Sequence, residues 1–293
     1  MRVAIASFTR MPPEFRDDER LAHALRAKGA ITAIEPWDDP DVDWAPYELV
    51  VVRSTWNYAR KRDEYLAWCE RIGDRLHNAP ALIRWNSDKR YLGDLAEAGI
   101  RVVETTYVEP GAEAPELEGE VVVKPNISAG GRDTGRFGPA THDQAHELIA
   151  AIQASGRAAM VQPYVPTVDE IGETAVLCID GEPAHALRKR AVLRPDEVAP
   201  VRDDGVGAAE VMYDPGLVTA NEATPEEVAF AREVVAHIHE RFEYLPLYAR
   251  VDMISGTDGR PMLMELEAVE PNFYLDQVPA SADVVADAIL KRA

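Results

Sequence analysis

Cysteine is scarce in this sequence, and long apolar runs are missing from it. Cys69 and Cys178 are the only two thiols in 293 residues, too few for a disulfide framework or a thiolate metal cluster. No stretch approaches the roughly 18 consecutive apolar residues of a membrane-spanning helix. The N-terminus turns polar by Ser7, too early for a secretory signal. These absences predict a reduced, cytoplasmic protein that does not cross a membrane.

Basic charge is also in short supply. The chain has 31 Lys and Arg against 51 Asp and Glu, which gives a formal charge of −20. Such a surface repels phosphate backbones and anionic lipid, so neither nucleic acid nor a membrane is expected as the main partner. Only 6 of the 31 basic residues are lysine, which makes the position of each lysine informative. The length and the 46 % hydrophobic content indicate a globular chain of about two domains.

The first third of the chain alternates strand and helix patterns. Val3–Ser7, Ile31–Ile34 and Leu49–Val52 are short apolar runs typical of buried strands, and Glu64–Ile72 has helical periodicity. This alternation predicts a parallel sheet covered by helices. The turn after the first strand contains no glycine, which excludes a dinucleotide site of the Gly-x-Gly-x-x-Gly type.

Later segments are less regular. The pattern predicts a helix over Asp88–Ala98, a strand over Arg101–Glu104 and a helix that a capping box opens at Thr141. Asp180-Gly181 predicts a two-residue hairpin turn, and residues 194–222 are expected to form a mobile loop. Thr224 followed by Pro225 and Glu227 predicts the start of another helix.

The most informative pattern is a second hairpin near the C-terminus. The Asp258-Gly259 pair favours a two-residue turn. The register of such a turn places Asp252 opposite Glu265. It also places Arg250 opposite Glu267, and opposed residues share one face of a sheet. One face is therefore predicted to carry a guanidinium and three carboxylates. The other face is predicted to carry Val251, Met253, Met264 and Leu266.

Three carboxylates at this spacing repel one another unless a positive charge lies among them. Their oxygens suit a hard divalent cation, and magnesium also recruits the phosphates of a substrate. Two alternatives stay open. In the first, the charged face is simply solvated, as in many half-exposed sheets. In the second, the turn lies at Ser255-Gly256, which would change the register so that these residues no longer share one face.

A second group of residues suits an anion. Lys124 ends a predicted strand directly before Pro125 and a segment that contains Ser128, Gly130 and Gly131. Successive backbone N–H groups in such a loop form an anion nest, and a lysine beside it adds a point charge for phosphate. This is not a Walker motif, because the lysine precedes the glycines. A loop without any ligand is the alternative.

In this order the parts resemble the ATP-grasp carboxylate–amine ligases over nearly the whole chain. The matching motifs are Asn86-Ser87-Asp88-Lys89, Val122-Val123-Lys124-Pro125, Gln162-Pro163-Tyr164-Val165, Glu173, and Asp252 with Glu265-Leu266-Glu267. The resemblance implies an α/β (α+β) ATP-grasp fold. It has an N-terminal parallel domain over residues 1–85, a small lid domain over 86–165, and an antiparallel domain for ATP and magnesium over 166–293.

The resemblance also implies a role for each matching residue, with ATP and magnesium as cofactors. The nucleotide would be held by Lys89, Lys124, Ser128, Gly130, Gly131, Gln162, Pro163, Tyr164, Val165 and Glu173. Two magnesium ions would be held by Asp252, Glu265 and Glu267. Arg250 would stabilise the transferred phosphoryl group, and Lys189 would meet the γ-phosphate, with Arg188 equally consistent with the hairpin.

One departure points to a branch of the family. The family commonly has Asn where Glu267 stands. Leu263–Glu267 followed by Glu270-Pro271-Asn272, together with Val51–Tyr58 and His185–Lys189, resembles the branch that cyclises O-ureido-D-serine to D-cycloserine. The implied chemistry is transfer of the γ-phosphoryl group to a carboxylate, followed by attack of a nitrogen of the same molecule, with release of carbon dioxide and ammonia. The alternatives are an intermolecular ligase of amino acids or peptides and an ATP-binding protein without catalysis.

A polar segment follows the third predicted strand, where ligands of α/β sheets tend to lie. Arg53 is predicted to pair with a substrate carboxylate, with further polar contacts from Ser54, Thr55, Asn57, Tyr58, Asn272 and Tyr274. The alternative is that Trp56 and Tyr58 only pack a domain interface. The expected partner is a small amino-acid-like molecule, and a homo-oligomer is left open. The seven histidines show no metal-binding spacing and are expected to be structural or on the surface.

Overall fold

The structure is a computed structural model that describes residues 1–12, 15–202 and 207–292. Within these ranges the chain forms three sheets, one parallel and two antiparallel. None of the described helices is both long and apolar enough to cross a membrane.

The N-terminal sheet is parallel, as its alternation of strands and helices predicts. The elements are β1 (Arg2–Ser7), α1 (Asp17–Ala27), β2 (Ile31–Pro36), β3 (Leu49–Val52), α2 (Arg62–Ile72), β4 (Leu76–His77), α3 (Pro80–Asn86) and α4 (Tyr91–Glu97). The strand order is β2-β1-β3-β4. All four residues of β3 are buried, because one face of the sheet packs on α1 and the other on α2.

The middle sheet is antiparallel. Its elements are β5 (Thr106–Val108), β6 (Val121–Pro125), β7 (Gly135–Phe137), α5 (His142–Ala154) and β8 (Ala159–Pro163). The order β7-β6-β8-β5 leaves one face to pack on α5. The glycine-rich segment is the connection between β6 and β7, which places it at one end of this sheet.

Three predictions around this sheet were wrong in detail. Arg101–Glu104 is not a strand, because only Val102 pairs, in an isolated bridge to Leu263. The helix expected from Asp88 begins at Tyr91, since the Asp88 carboxylate accepts hydrogen bonds from the Arg90 N–H and from Asn126. Thr141 precedes α5 without capping it, because its hydroxyl is bonded to Gly138 O and Asp196 instead.

The C-terminal sheet is antiparallel, with the order β12-β10-β9-β13-β14. The elements are α6 (Thr167–Ile171), β9 (Glu173–Ile179), β10 (Glu182–Lys189), β11 (Glu197–Val198), β12 (Val218–Asn221), α7 (Pro225–Phe242), β13 (Tyr248–Ser255), β14 (Pro261–Glu267) and α8 (Ser281–Leu290). The turn at Asp180-Gly181 is confirmed, since both residues have the positive φ (49° and 83°) that a tight hairpin requires. The capping box of Thr224 and Glu227 is present at the start of α7.

The segment 194–222 is more regular than predicted. β11 adds to the edge of the middle sheet beside β7, Glu210–Tyr213 forms a 3-10 turn, and β12 pairs with β10. Residues 203–206 of the predicted loop lie outside the described residues. The segment therefore links the middle and C-terminal sheets.

The β13–β14 hairpin has the predicted pairs. Arg250 lies opposite Glu267, and Asp252 lies opposite Glu265. Arg250 and Asp252 are buried, whereas Glu265 and Glu267 are half-buried. The predicted face with one guanidinium and three carboxylates is confirmed.

The turn of this hairpin differs from its prediction. Gly256–Arg260 forms the loop, in place of Asp258-Gly259 alone, and Ser255 pairs with Pro261. This turn shifts the register by one residue, and a bulge at Met264 shifts it back. Because of the bulge, Leu263 takes the core position expected for Met264. The two offsets cancel before the acidic pairs are reached.

The N-terminal and C-terminal sheets share a core, whereas the middle sheet forms a core of its own with α5. α8 packs against α1, so the last helix of the chain completes the N-terminal core. α7 covers the opposite face of the C-terminal sheet together with α4. The domain boundaries at residues 85/86 and 165/166 stay a prediction.

A half-buried histidine on β4 of the N-terminal sheet provides a test of stability. The His77 ring stacks on Tyr244, and its Nδ1 lies 3.1 Å from the Tyr244 hydroxyl. Burial and the neighbouring Arg292 charge lower the pKa of His77 to about 4. The unfolded chain therefore binds a proton there that the folded chain does not, over the window from about pH 6.5 down to about pH 4.

We expect the wild type to lose stability at this site as the pH falls through that window. His77→Gln should reduce the loss between about pH 7 and about pH 4.5 by about 1–2 kcal/mol, discounted because the ring is partly exposed. Urea unfolding at the two pH values measures it, with the exposed His239→Gln as control. Equal acid sensitivity in all three proteins would contradict the prediction.

Candidate active site

A cleft lies between the middle sheet and the C-terminal sheet. The glycine-rich loop and the β8–α6 connector form one wall, and the acidic face of the β13–β14 hairpin forms the other. Most of the predicted site residues line it. They are Tyr58, Lys89, Lys124, Ser128, Gly130, Gly131, Gln162, Pro163, Tyr164, Val165, Glu173, Lys189, Arg250, Glu265, Glu267, Asn272 and Tyr274.

One end of the cleft is apolar and contains a free backbone donor. Ile254 and Met264 line it from the hairpin, the latter because of the bulge. The Tyr164 N–H donates to Glu120 O at 2.7 Å, whereas the Val165 N–H has no partner among residues 1–12, 15–202 and 207–292. A flat heterocycle with an acceptor at its edge fits such a surface.

The glycine-rich loop passes close to a neighbouring segment. Gly130 and Gly131 have φ of +67° and +69°, and a Cβ on Gly130 would lie 2.7 Å from the Ala208 Cβ. Side chains are excluded here by both conformation and space. Lys89 Nζ donates to Ser128 O at 2.8 Å and holds the loop against the cleft.

Three of the six lysines converge on the cleft. Lys89 Nζ lies 3.2 Å from Glu265, and Lys189 Nζ lies 3.1 Å from Glu173. Lys124 is buried, yet within the described chain its ammonium group has no hydrogen bond or ion pair, and burial lowers its pKa. A buried cation without a partner indicates a place for an anion.

The structure separates Lys189 from Arg188, which the sequence leaves as alternatives. Lys189 pairs across the sheet with Glu173 and shares its face, which borders the cleft. Arg188 lies opposite Thr174, on the face that packs against α7. Only Lys189 can therefore reach a ligand in the cleft directly.

Arg250 is the centre of an ion-pair network. Its guanidinium donates to both oxygens of Asp252 at 2.7 Å and also to Glu267. A further N–H reaches Asn272 O at 3.1 Å. The network fixes the guanidinium at the floor of the cleft.

The two acids on β14 titrate in opposite directions. Burial alone would raise the pKa of Glu265, but the charges of Lys89 and Lys124 outweigh burial and lower it. The pKa of Glu267 is raised by burial and by its acidic neighbours, although Arg250 opposes this. Glu265 is therefore held in its charged form by the neighbouring lysines. A cation that binds beside Glu267 would favour the charged form of that carboxylate.

Comparisons with known proteins place the chain in a family. Residues 3–78 match the family model of the D-cycloserine synthetase DcsG N-terminal domain. Over 297 residues, 96 % of this chain and 93 % of the relative, the sequence is 36 % identical to the cycloserine biosynthesis protein DcsG of Streptomyces lavendulae. The chain belongs to the D-cycloserine synthetase (DcsG) family of ATP-grasp ligases. It is an enzyme that forms C–N bonds.

Solved structures agree with this assignment. The crystal structure of D-cycloserine synthetase DcsG matches with a TM-score of 0.87 and 33 % identity, covering 100 % of this chain and 99 % of that one. The D-alanine–D-alanine ligase of Bacillus anthracis, complexed with ATP, has a TM-score of 0.69 and 13 % identity over 100 % and 97 % of the two chains. The second likeness shows the fold alone, and the predicted ATP-grasp fold is confirmed.

The acids of this DcsG-family cleft fit magnesium in chemical type. Among the described residues, no three Asp, Glu, His or Cys side chains converge tightly enough to hold a metal by themselves. Both carboxylate oxygens of Asp252 accept hydrogen bonds from Arg250. Glu265 and Glu267 are the carboxylates of this face that line the cleft. Magnesium typically binds one or two carboxylates together with phosphates of the substrate. Two open acids beside three lysines match that chemistry.

Within the 53–58 segment, Trp56 and Tyr58 line the cleft, whereas the other predicted residues lie behind it. Arg53 is buried, donates to Pro271 O at 2.7 Å and lies 3.3 Å from the Phe273 ring centroid. Asp18 is 3.9 Å from its Nε. These internal partners leave Arg53 no access to a substrate carboxylate. The other polar side chains are also bound internally: Ser54 to Asp18, Thr55 to Tyr65, and Asn57 to Asp38. Of the predicted residues in this segment, Tyr58 lines the cleft, and Trp56 lines it as well.

Glu270 lines the cleft and was not among the predicted site residues. Its carboxylate has no hydrogen bond or ion pair to another residue in the described ranges. Burial and the nearby Glu267 raise its pKa to about 8. The available signal was its position three residues after the Glu-x-Glu pair, which sequence alone does not connect with the cleft.

Proposed function

We propose that this enzyme uses ATP and two magnesium ions to activate a carboxylate as an acyl phosphate and then forms a C–N bond within the same molecule. The observation that carries the proposal is the cleft, where a guanidinium and two open acids lie beside three lysines and a glycine loop. A relative that is a cycloserine biosynthesis protein supports D-cycloserine as the product. O-ureido-D-serine is the linear precursor with the matching atoms.

The reaction balances in three steps. The substrate carboxylate attacks the γ-phosphorus of ATP, which releases ADP and leaves the acyl phosphate. The aminooxy nitrogen then attacks the activated carbon, phosphate leaves, and the isoxazolidinone ring closes. Water hydrolyses the carbamoyl group, which departs as carbon dioxide and ammonia.

The chain supplies position and charge for these steps. Lys89, Lys124 and the backbone of Gly130 and Gly131 bind the phosphates, and the Val165 N–H binds the adenine edge. Magnesium would supply positive charge that offsets the charge of the phosphates. It would be held by Glu265 and Glu267, with Asp252 behind them orienting Arg250. Glu173 would bind the ribose.

At the reacting end, cations face the transferred group. Arg250 and Lys189 offset the charge that develops on the transferred phosphoryl group. Tyr58, Asn272 and Tyr274 line the substrate side, and Arg53 acts from outside the cleft. The amino-acid-like substrate therefore has its carboxylate directed to the cationic floor.

The test is direct. Purified enzyme with ATP, magnesium and O-ureido-D-serine is expected to release ADP, ammonia and a cyclic product in equal amounts, measured by coupled assay and mass spectrometry. ADP release that requires an added amine would favour an intermolecular ligase. Magnesium-dependent ATP binding without turnover of any amino acid would favour a protein that binds ATP without catalysis.

A further inference from the structure

The segment 269–275 after β14 is held by side chains along its length. Each carbonyl from Val269 to Phe273 accepts one side-chain hydrogen bond, and the Leu275 N–H donates to Asp17 at 3.0 Å. The donors, in chain order of the acceptors, are Tyr248, Trp56, Arg53, Arg250 and His185, at 2.7–3.1 Å. Side chains therefore fix a backbone that belongs to no sheet.

The donors come from separate parts of the fold. Arg53 and Trp56 follow the N-terminal strand β3, and Asp17 begins α1. His185 on β10 donates from Nε2 to Phe273 O, because its Nδ1 is bonded to Ser281. The segment is fixed only when the N-terminal and C-terminal parts are packed together. This gives the buried Arg53 a role that does not require contact with substrate.

The fixed segment presents alternate side chains to the cleft. Residues 269, 271, 273 and 275 are buried, and Val269 is the one of these four that also lines the cleft. Glu270, Asn272 and Tyr274 are half-buried and line the cleft. The Asn272 side chain accepts from the Tyr274 N–H at 2.9 Å, so it is committed internally. Glu270 is the charged group that this segment offers to a ligand.

Glu270 differs from the other glutamates of the cleft. Glu173 is 3.1 Å from Lys189, Glu265 is 3.2 Å from Lys89, and Glu267 is bonded to Arg250. In the described chain, Glu270 alone of the four has no cationic partner. Lys89 acts on Glu270 only from beyond ion-pair distance. A carboxylate among other acids with no cation in direct contact is unfavourable until a cation binds to it.

We propose that Glu270 binds the α-ammonium group of the amino-acid substrate, and that Arg53 and Trp56 are positioning residues that act through the 269–275 segment. The proposal rests on the proposed function, because the carboxylate of the same substrate is directed to Arg250 and Lys189. An amino acid carries its ammonium one carbon from that carboxylate. A lone carboxylate on an adjoining wall suits it.

The test compares O-ureido-D-serine with its des-amino analogue, 3-(ureidooxy)propanoate, in binding to the enzyme with ADP and magnesium. Calorimetry is expected to give a wild-type preference of about 100-fold for the amino compound, typical of a charge-assisted pair. Glu270→Gln should reduce the preference to within about threefold by weakening only the amino compound. The exposed Glu116→Gln is the matched control.

The positioning role needs a milder variant. Trp56→Phe keeps the aromatic ring and removes the indole N–H that donates to Glu270 O at 3.1 Å. It is expected to reduce the preference about fivefold, with no further reduction when combined with Glu270→Gln, because both act on one interaction. An equal loss of affinity for the two compounds would show a merely structural role for Trp56.

The outcomes separate this inference from the proposed function. A preference that survives Glu270→Gln overturns the assignment of Glu270, even if the enzyme makes D-cycloserine. If the wild type does not turn over O-ureido-D-serine, the proposed function fails. The pair of D-serine and 3-hydroxypropanoate then replaces the two probes, and a preference for the amine that depends on Glu270 would still support the assignment.

Discussion

Replacing Lys124 with methionine is expected to weaken ATP binding about 100-fold and also to raise the free energy of unfolding of the ligand-free enzyme by about 1 kcal/mol. A hydrogen bond to a charged phosphate contributes about 1.5–3 kcal/mol, and the upper value corresponds to about 100-fold in affinity. Stability changes in the opposite direction because burial costs the Lys124 charge more than its attraction to Glu265 returns, as its lowered pKa shows. Methionine has a similar length and removes that unpaired charge.

Two measurements on the same protein test this prediction. Calorimetric titration with ATP and magnesium gives the affinity, and urea unfolding without nucleotide gives the stability. Lys291→Met removes an exposed ammonium group and serves as the control. A loss of both ATP affinity and stability in Lys124→Met would contradict the prediction. It would show that the Lys124 ammonium group already stabilises the ligand-free protein and does not need a phosphate as its partner.

Glu265→Gln is expected to lower kcat/KM about 1,000-fold and leave the fold intact. The amide keeps the size of the side chain but gives up the negative charge that a magnesium ligand needs. The Glu265 carboxylate also lies 3.2 Å from Lys89 Nζ, so under the proposed function it competes with a phosphate for that ammonium group. ATP without magnesium should therefore bind the variant at least as tightly as the wild type, and magnesium should no longer raise the affinity.

Affinity for ATP with and without magnesium, together with ADP release, tests that prediction. The exposed Glu233→Gln on α7 is the control for loss of a carboxylate. An equal fall in ATP affinity under both conditions would contradict the assignment, since it would show that Glu265 shapes the nucleotide site without acting through the metal.

Much of the fold and the acidic face of the hairpin could be predicted because they depend on local rules. Val3–Ser7 and Leu49–Val52 are continuous apolar runs, which parallel strands covered on both faces require. The pairing of Asp252 with Glu265 follows from parity along two strands. The turn was wrong because Asp258-Gly259 suits a two-residue reversal, and the sequence does not reveal the bulge that compensates for a longer one.

The substrate side could not be predicted in the same way, because its contacts join residues far apart in sequence. Arg53 follows a strand, as ligand-binding residues often do, but its partners Pro271 and Phe273 lie more than 200 positions away. No spacing rule shows that the hydrogen-bond and ring partners of a guanidinium lie within the protein itself. Glu270 could not be predicted because the sequence does not show which carboxylates lack a cationic partner. That becomes visible only in the three-dimensional structure of the cleft.

The loop Gly256–Arg260 and the bulge at Met264 form a matched pair, and this limits how the gene can change. Deleting or inserting one codon in the loop alone would turn Glu265 and Glu267 toward the core and Leu266 toward the nucleotide. A compensating change at the bulge would restore them. Homologues with a different loop length are therefore expected to differ at the bulge as well, so that the two evolve as a single inherited unit.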